Sequence, residues 1–234
     1  MFQFKQFVVR QDACAMKVCT DSCLFGAWLE IPFNSKNALD IGTGTGLLSL
    51  MIAQRNSHIE IDAIEIDESA YKQALSNVSN SIFKDIIKVI NSSLQEFITT
   101  TKYDFIISNP PFYENSIKTE NKKKNTAHHC SHLSFEELCY SIKSLMTTNG
   151  TAAVMLPPNV TQKFIDTAAN YQLYLQTKCC VYNHKNKPVF RYFLILKNQE
   201  TATVLIGNFF IYKDNVEVLT YTDEFKELLN PYYL

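Results

Sequence analysis

Residues 37–55 read NALDIGTGTGLLSLMIAQR and combine a strand, a glycine turn and a helix. Asn37–Ile41 is a short apolar strand, and glycines occupy alternate positions of the turn that follows it, at Gly42, Gly44 and Gly46. Leu47–Arg55 then has the length and composition of a helix. Glycine adopts backbone angles that other residues avoid and lets a ligand approach without meeting a Cβ. The turn is therefore a candidate ligand site at the carboxyl end of a strand.

Strand-like and helix-like runs alternate along the chain on both sides of this turn. Such alternation predicts an α/β, Rossmann-like fold: a doubly wound, mostly parallel sheet, here of seven strands. Leu173–Tyr182 and Phe190–Leu196 are joined by a segment short enough for an antiparallel hairpin at one edge. We expect residues 1–35 to form an N-terminal cap, 36–197 the core, and 198–234 a strand and helix tail packed on the same domain.

The composition is that of a folded protein, with 46% apolar and 19% charged residues. The apolar runs are of strand length, too short to cross a membrane, and the first residues lack the pattern of a secretory signal. We therefore expect a cytoplasmic protein without a membrane partner. Because the net charge is only −1, any nucleic-acid binding must come from local basic patches.

The spacing of the glycines separates two candidate cofactors. Dinucleotide-binding turns read GxGxxG, and their third glycine lets a helix pack closely beneath a pyrophosphate. Here the spacing is GxGxG, and Leu47 stands where that third glycine would fall. S-adenosylmethionine has no pyrophosphate, so the turn favours it over a nicotinamide dinucleotide, which stays open as an alternative. Glu65 ends the next strand, where a carboxylate can accept hydrogen bonds from both hydroxyls of a ribose.

A second motif, Ser108-Asn109-Pro110-Pro111-Phe112, follows the strand Tyr103–Ser108. The amino nitrogen of adenine is a poor nucleophile because its lone pair is delocalised into the ring. The Asn109 side-chain carbonyl and the Pro110 backbone carbonyl can each accept one of its hydrogens and direct the lone pair toward a methyl group. Prolines stiffen the corner, and Phe112 can stack on the base. Asn-Pro also occurs in ordinary turns. The interpretation of this motif as a base-binding site therefore depends largely on its occurrence together with the glycine turn.

With these motifs the chain resembles class I methyltransferases that modify exocyclic or amide nitrogens, whose hallmark is (N/D)PP(Y/F/W). Its N-terminal region is similar to that of bacterial valine-tRNA adenine-N6 methyltransferases. The similarity covers nearly the whole chain and is carried by Phe4-Lys5-Gln6-Phe7, Met16-Lys17-Val18, Thr20-Asp21, Phe25-Gly26-Ala27-Trp28, Leu39–Leu50, Ile106–Pro111 and the tyrosine-rich tail Tyr221–Leu234.

The resemblance implies S-adenosylmethionine-dependent methylation of the N6 amino group of adenine 37, on the 3′ side of the anticodon of a valine tRNA. It implies that Asp21 meets the ammonium group of the donor and that Asn109, Pro110 and Phe112 hold the base. Ser93 stands where the family commonly has an aspartate near the donor's adenine. The cofactor-binding residues that it implies are Thr20, Asp21, Asp40, Gly42, Gly44, Gly46, Glu65 and Ser93.

Basic residues near the expected substrate edge are candidate phosphate contacts. They are Lys17, Lys122, Lys123, Lys124, Lys187 and Arg191. A cluster of His128, His129, Cys130 and His132 has the residue types of a metal site, but no second ligand pair at zinc spacing accompanies it. We therefore expect no metal, and we expect a monomer.

Other functions remain open at this point. A protein glutamine-N5 methyltransferase would use the same Asn-Pro-Pro logic on a side-chain amide. A non-catalytic RNA-binding protein with a methyltransferase fold is an alternative from another class, and a dinucleotide-dependent oxidoreductase is a third.

Overall fold

A computed structural model describes residues 1–12, 18–111, 133–214 and 218–233 of the chain. The strands in these ranges are β1 (Phe2–Gln3), β2 (Val8–Val9), β3 (Asn37–Ile41), β4 (Glu60–Glu65), β5 (Ile87–Asn91), β6 (Tyr103–Ser108), β7 (Met146–Leu156), β8 (Tyr174–Tyr182), β9 (Val189–Lys197) and β10 (Leu205–Phe210). The helices are α1 (Thr20–Trp28), α2 (Leu47–Arg55), α3 (Glu68–Ser79), α4 (Phe135–Leu145), α5 (Pro158–Asn170) and α6 (Asp223–Leu229).

The main sheet has the strand order β10-β8-β9-β7-β6-β3-β4-β5. Strands β5, β4, β3, β6 and β7 are mutually parallel, whereas β9 runs antiparallel to both β7 and β8. The predicted doubly wound sheet with an antiparallel hairpin is thus confirmed. From β3 the chain first moves outward to β4 and β5 and then returns to β6 on the other side. The carboxyl ends of β3 and β6 are therefore the switch point at which such sheets bind ligands.

The sheet has one strand more than the seven that the sequence predicts. Strands β3 to β9 supply the seven, and β10, from the tail, adds an eighth that pairs in parallel with β8. A separate two-stranded sheet pairs β1 with β2 near the N-terminus.

Successive residues of a strand point to opposite faces of the sheet, so both faces of the main sheet are apolar. Helices cover each of them. Phe105 and Ile107 of β6 pack with α1, α2 and α6, while Ile106 between them packs with α4 and α5. Both apolar clusters are well buried, and each fully buried Leu or Phe side chain contributes about 1.5–3 kcal/mol. Within the described ranges, no helix is both long and apolar enough to span a bilayer.

The N-terminal and C-terminal segments share one of these clusters with the sheet. Phe4 stacks on Phe7 with ring centroids 4.5 Å apart, and both belong to the cluster that contains Phe225 of α6. The Lys5 backbone N–H donates to the Tyr232 carbonyl at 2.8 Å. Helix α1 contacts both α2 and α6 in this cluster, and its first turn lies beside the switch point, as described below.

Candidate active site

The glycine turn between β3 and α2 forms an open cradle. Gly42, Gly44 and Gly46 have φ angles of 73°, 59° and 81°, which a side chain would strain. A Cβ on Gly42 or Gly44 would meet no atom of the described residues within 4 Å, so both backbones border space that these residues leave open. A Cβ on Gly46 would instead lie 3.6 Å from Ala74 of α3. Gly42 and Gly44 are therefore placed to approach a ligand, whereas Gly46 turns the chain into α2.

Asp40 lies beneath this cradle and is fully buried. Its Oδ2 accepts hydrogen bonds from the hydroxyls of Thr43, at 2.6 Å, and Ser49, at 2.7 Å. Burial removes hydration from the carboxylate and raises the pKa of Asp40 to about 6. Asp40, which the resemblance assigns to cofactor binding, thus braces the loop from inside.

Glu65 ends β4 next to the cradle and is 9% exposed. Its Oε2 accepts from the Gly44 N–H and its Oε1 from the Asp67 N–H, both at 2.9 Å. These two bonds fix the carboxylate, and each oxygen keeps a lone pair that can accept a ribose hydroxyl. Asn91, which the sequence analysis missed, ties the end of β5 to this point by donating to the Glu65 carbonyl at 2.8 Å.

Ser93 follows β5 and is also buried. Its hydroxyl donates to Glu96 Oε2 at 3.0 Å and accepts from the Glu96 N–H at 3.2 Å. The side chain is thus engaged with its own turn. Ser93 thus lies one strand beyond Glu65, but its hydroxyl hydrogen is donated to Glu96 and not to a ligand.

The Asn-Pro-Pro corner lies directly beside the glycine turn. Ser108 is in register with Ile41, and its hydroxyl donates to the Ile41 carbonyl at 2.9 Å. Asn109 is half-buried, and its Nδ2 donates to Ser22 Oγ at 3.3 Å. The Asn109 Oδ1 is buried and has no hydrogen-bond partner among the described residues. Pro110 is buried behind it, and Phe112 lies outside the described residues.

The first turn of α1 reaches the same region. Thr20 is half-buried, and Asp21, 5% exposed, pairs with the Arg191 guanidinium, whose Nε lies 2.8 Å from Asp21 Oδ2. The structure thus joins a residue expected to bind the donor and a residue expected to bind RNA in one ion pair. Arg191 also packs on the Phe190 ring, with its Cζ 4.2 Å from the ring centroid.

The remaining expected RNA contacts are placed only in part. Lys187 is exposed in the turn between β8 and β9, at the same edge of the sheet as the glycine turn. Lys17, Lys122, Lys123, Lys124 and the His128, His129, Cys130 and His132 cluster lie outside the described residues. Among the residues with described positions, no group of three or more His, Cys, Asp or Glu side chains could hold a metal ion.

The strand order and the glycine turn define a class I methyltransferase fold. A predicted O-methyltransferase of Agrobacterium tumefaciens has a similar structure, with a TM-score of 0.69 at 14% identity over 89% of this chain and 95% of that one. A methyltransferase of Pyrococcus furiosus gives a TM-score of 0.54 at 16% identity over 80% of this chain and 90% of that one. At these identities the likeness concerns the fold alone.

Sequence comparison identifies the family more closely. The model of the methyltransferase small domain matches residues 15–132. The tRNA1(Val) (adenine(37)-N6)-methyltransferase of Dyadobacter fermentans is 42% identical over 100% of this chain and 97% of its own length. The enzyme of the same name from Pseudoalteromonas translucida is 38% identical over 100% of this chain and 98% of its own. The chain belongs to the family of tRNA1(Val) (adenine(37)-N6)-methyltransferases.

Proposed function

We propose that this protein transfers a methyl group from S-adenosylmethionine to the N6 amino group of adenine 37 in tRNA1(Val). One observation carries the proposal beyond family membership. The Asn109 Oδ1 is a buried acceptor without a described partner, and it lies beside a glycine cradle that has open space at Gly42 and Gly44. A buried acceptor left unpaired costs free energy, and the amino group of a bound adenine would satisfy it.

The residues present fit S-adenosylmethionine. Gly42 and Gly44 would let the donor lie against the backbone, and Glu65 would accept hydrogen bonds from its ribose hydroxyls. Asp21 is the carboxylate available to its ammonium group, shared with Arg191. When bound, the donor supplies an electrophilic methyl group on a sulfonium.

The chain's own contribution to catalysis is orientation. Asn109 Oδ1 and the Pro110 carbonyl each accept one N–H of the adenine amino group, which withdraws the nitrogen lone pair from the ring and aims it at the donor side. Full orientation of two reactants can lower an activation barrier by about 7–11 kcal/mol. Fixing the amino group in this way supplies several kcal/mol of that total. Phe112 would hold the base by stacking, a contact worth about 1–3 kcal/mol.

The tRNA would approach over the carboxyl edge of the sheet. Lys187 is exposed at this edge, and Lys17, Lys122, Lys123 and Lys124 are further phosphate contacts in the proposal. A monomer acting in the cytoplasm is the form we expect. An adenine in an anticodon loop is more easily extruded into such a site than one in a duplex.

The test uses transcripts of tRNA1(Val) with adenine or guanine at position 37. Incubation with labelled S-adenosylmethionine should yield N6-methyladenosine, by nucleoside mass spectrometry, only in the adenine transcript. Methylation of both transcripts would place the target elsewhere in the tRNA. Absence of methylation, or labelling of protein glutamine instead, would overturn the proposed function.

A further inference from the structure

A series of polar contacts around the first turn of α1 lies between Arg191 and the Asn-Pro-Pro corner. Asn109 Nδ2 lies 3.3 Å from Ser22 Oγ, Ser22 Oγ lies 3.1 Å from Cys19 Sγ, and Asp21, in the same turn of α1, pairs with Arg191 at 2.8 Å. The sequence alone predicts no role for Ser22 or Cys19.

The orientation of the Asn109 amide matters because its two ends have opposite chemistry. Oδ1 accepts hydrogen bonds and Nδ2 donates them, yet the two groups have nearly the same shape. A rotation of half a turn would present Nδ2 to the adenine amino group, and two donors would then face each other. Hydrogen-bond partners, not packing, decide which end faces the substrate.

Ser22 is the described partner of this amide, and it is 8% exposed. A serine hydroxyl can either donate or accept, so by itself it does not select one orientation of the amide. If its hydrogen is used elsewhere, its oxygen can only accept, and Asn109 must turn Nδ2 toward it. Cys19 Sγ, at 3.1 Å, is the neighbour that can take that hydrogen.

The charged end of the network decides the direction. Asp21, whose Oδ2 pairs with Arg191, has no hydrogen to give to Cys19, two residues before it. Although Cys19 is an exposed residue, partial burial of its sulfur, together with the Asp21 charge, raises the pKa of the thiol and keeps it protonated. The Cys19 sulfur then serves as the acceptor for the Ser22 hydroxyl. In this arrangement the Ser22 hydroxyl has the Cys19 sulfur as its acceptor, and the Asn109 Nδ2 has the Ser22 oxygen.

We propose that Ser22 is a positioning residue that turns the Asn109 amide so that Oδ1 faces the target amino group, with Cys19, Asp21 and Arg191 fixing the direction of the hydrogen bonds. This inference rests on the proposed function. Ser22 does not touch the substrate; it acts through Asn109.

The kinetic test compares Ser22→Ala with Ser22→Thr, which keeps the hydroxyl. Ser22→Ala should lower kcat about fivefold to tenfold, the effect of one hydrogen bond, and leave the KM values for donor and tRNA nearly unchanged. Ser22→Thr should restore most of kcat. Thr167→Ala is the matched control, because Thr167 is also 8% exposed and donates to a helix carbonyl, Lys163 O at 2.8 Å, far from the site. It should lower Tm comparably without changing kcat.

A second measurement follows the amide directly in the donor-free protein. The Asn109 side-chain NH2 signals, assigned by their loss in Asn109→Asp, should exchange with solvent faster in Ser22→Ala than in the wild type. Cys19→Ala removes the acceptor for the Ser22 hydroxyl and should shift the same signals and lower kcat, while Cys19→Ser should restore both. These exposed-site variants also keep the test intact if Ser22→Ala does not fold.

Wild-type activity separates the two levels of inference. If the wild type does not methylate adenine 37, the proposed function fails. If it does, and Ser22→Ala keeps kcat and the Asn109 signals of the wild type, the positioning role fails. A fall in kcat that Ser22→Thr does not restore, or that Thr167→Ala reproduces, also contradicts it.

Discussion

The Asn109 side-chain oxygen is the atom on which the proposed chemistry depends most. Asn109→Ala should lower kcat by about 10²–10³-fold, the usual effect of removing one group that stabilises a transition state. Donor affinity should change little because the amide faces the base. Single-turnover methylation and calorimetric titration with S-adenosylmethionine measure the two effects.

The control for this prediction is Asn198→Ala, another partly buried amide, which donates to the Thr147 carbonyl at 2.9 Å away from the glycine turn. It should leave turnover unchanged. Near-normal turnover in Asn109→Ala would remove Asn109 from the chemistry.

Asp40 gives a prediction about pH and stability. Because the folded-state pKa is raised from 3.8 to about 6, the folded protein holds a proton there that the unfolded chain releases at lower pH. This stabilises the fold below pH 4, and the stabilisation, about 3 kcal/mol in full, is lost as pH rises through 6. Urea unfolding at pH 4.5 and 7.0 should show the loss in the wild type and not in Asp40→Asn. Equal pH dependence of the two proteins would contradict it.

The glycine turn allows two of its positions to be compared. Gly44→Ala and Gly46→Ala both force alanine into a left-handed backbone, so each should lower stability by about 1–2 kcal/mol. Of these two glycines, Gly44 borders open space on the ligand side, whereas Gly46 faces α3. Donor affinity should therefore fall clearly more in Gly44→Ala than in Gly46→Ala. Thermal unfolding and donor titration measure the two effects, and equal affinities would show that Gly44 does not approach the donor.

Among the helices, α2 and α1 show what sequence patterns could and could not predict. Leu47–Arg55 begins after a glycine turn and was predicted with the bounds it has. No helix is predicted from the sequence over Thr20–Trp28, where α1 lies. Residues 21–27 are all buried, so polar and apolar faces do not alternate with the helical period that identifies a surface helix. Because the helix that carries Asp21 and Ser22 is buried around its circumference, its sequence lacks the pattern from which a helix is predicted.

The candidate site was predictable where it depends on neighbouring strand ends. Once β3 and β6 are adjacent, the glycine turn and Asn109 must lie side by side, and Glu65 must follow at the next strand. The Asp21–Arg191 pair depends instead on how α1 packs against β9, which no local pattern encodes. The engagement of Ser93 with Glu96 was likewise invisible, since it depends on the local geometry of one turn.

At the scale of the whole molecule, substitutions of Tyr232 measure how much the C-terminal tail contributes to the stability of the core. It is 1% exposed, and its hydroxyl donates to the Met51 carbonyl at 3.3 Å. Tyr232→Ala should lower the free energy of unfolding by about 3–5 kcal/mol, as for other large buried side chains. Tyr232→Phe removes only the hydroxyl and should cost about 1 kcal/mol. Urea denaturation measures both, and a loss under 1 kcal/mol for Tyr232→Ala would mean that the tail merely covers the core.

The Asp21–Arg191 pair also has a consequence for the order of events on the enzyme. A ligand whose cation shares Asp21 would weaken the hold of this carboxylate on the Arg191 guanidinium, at the edge over which the tRNA would approach. Binding of the donor and binding of the RNA would then be linked. Linkage is reciprocal, so the factor by which the donor raises the affinity for RNA is also the factor by which RNA raises the affinity for the donor. An ion pair between the first turn of a helix and an edge hairpin would in that way make the enzyme bind its methyl source and its nucleic acid cooperatively.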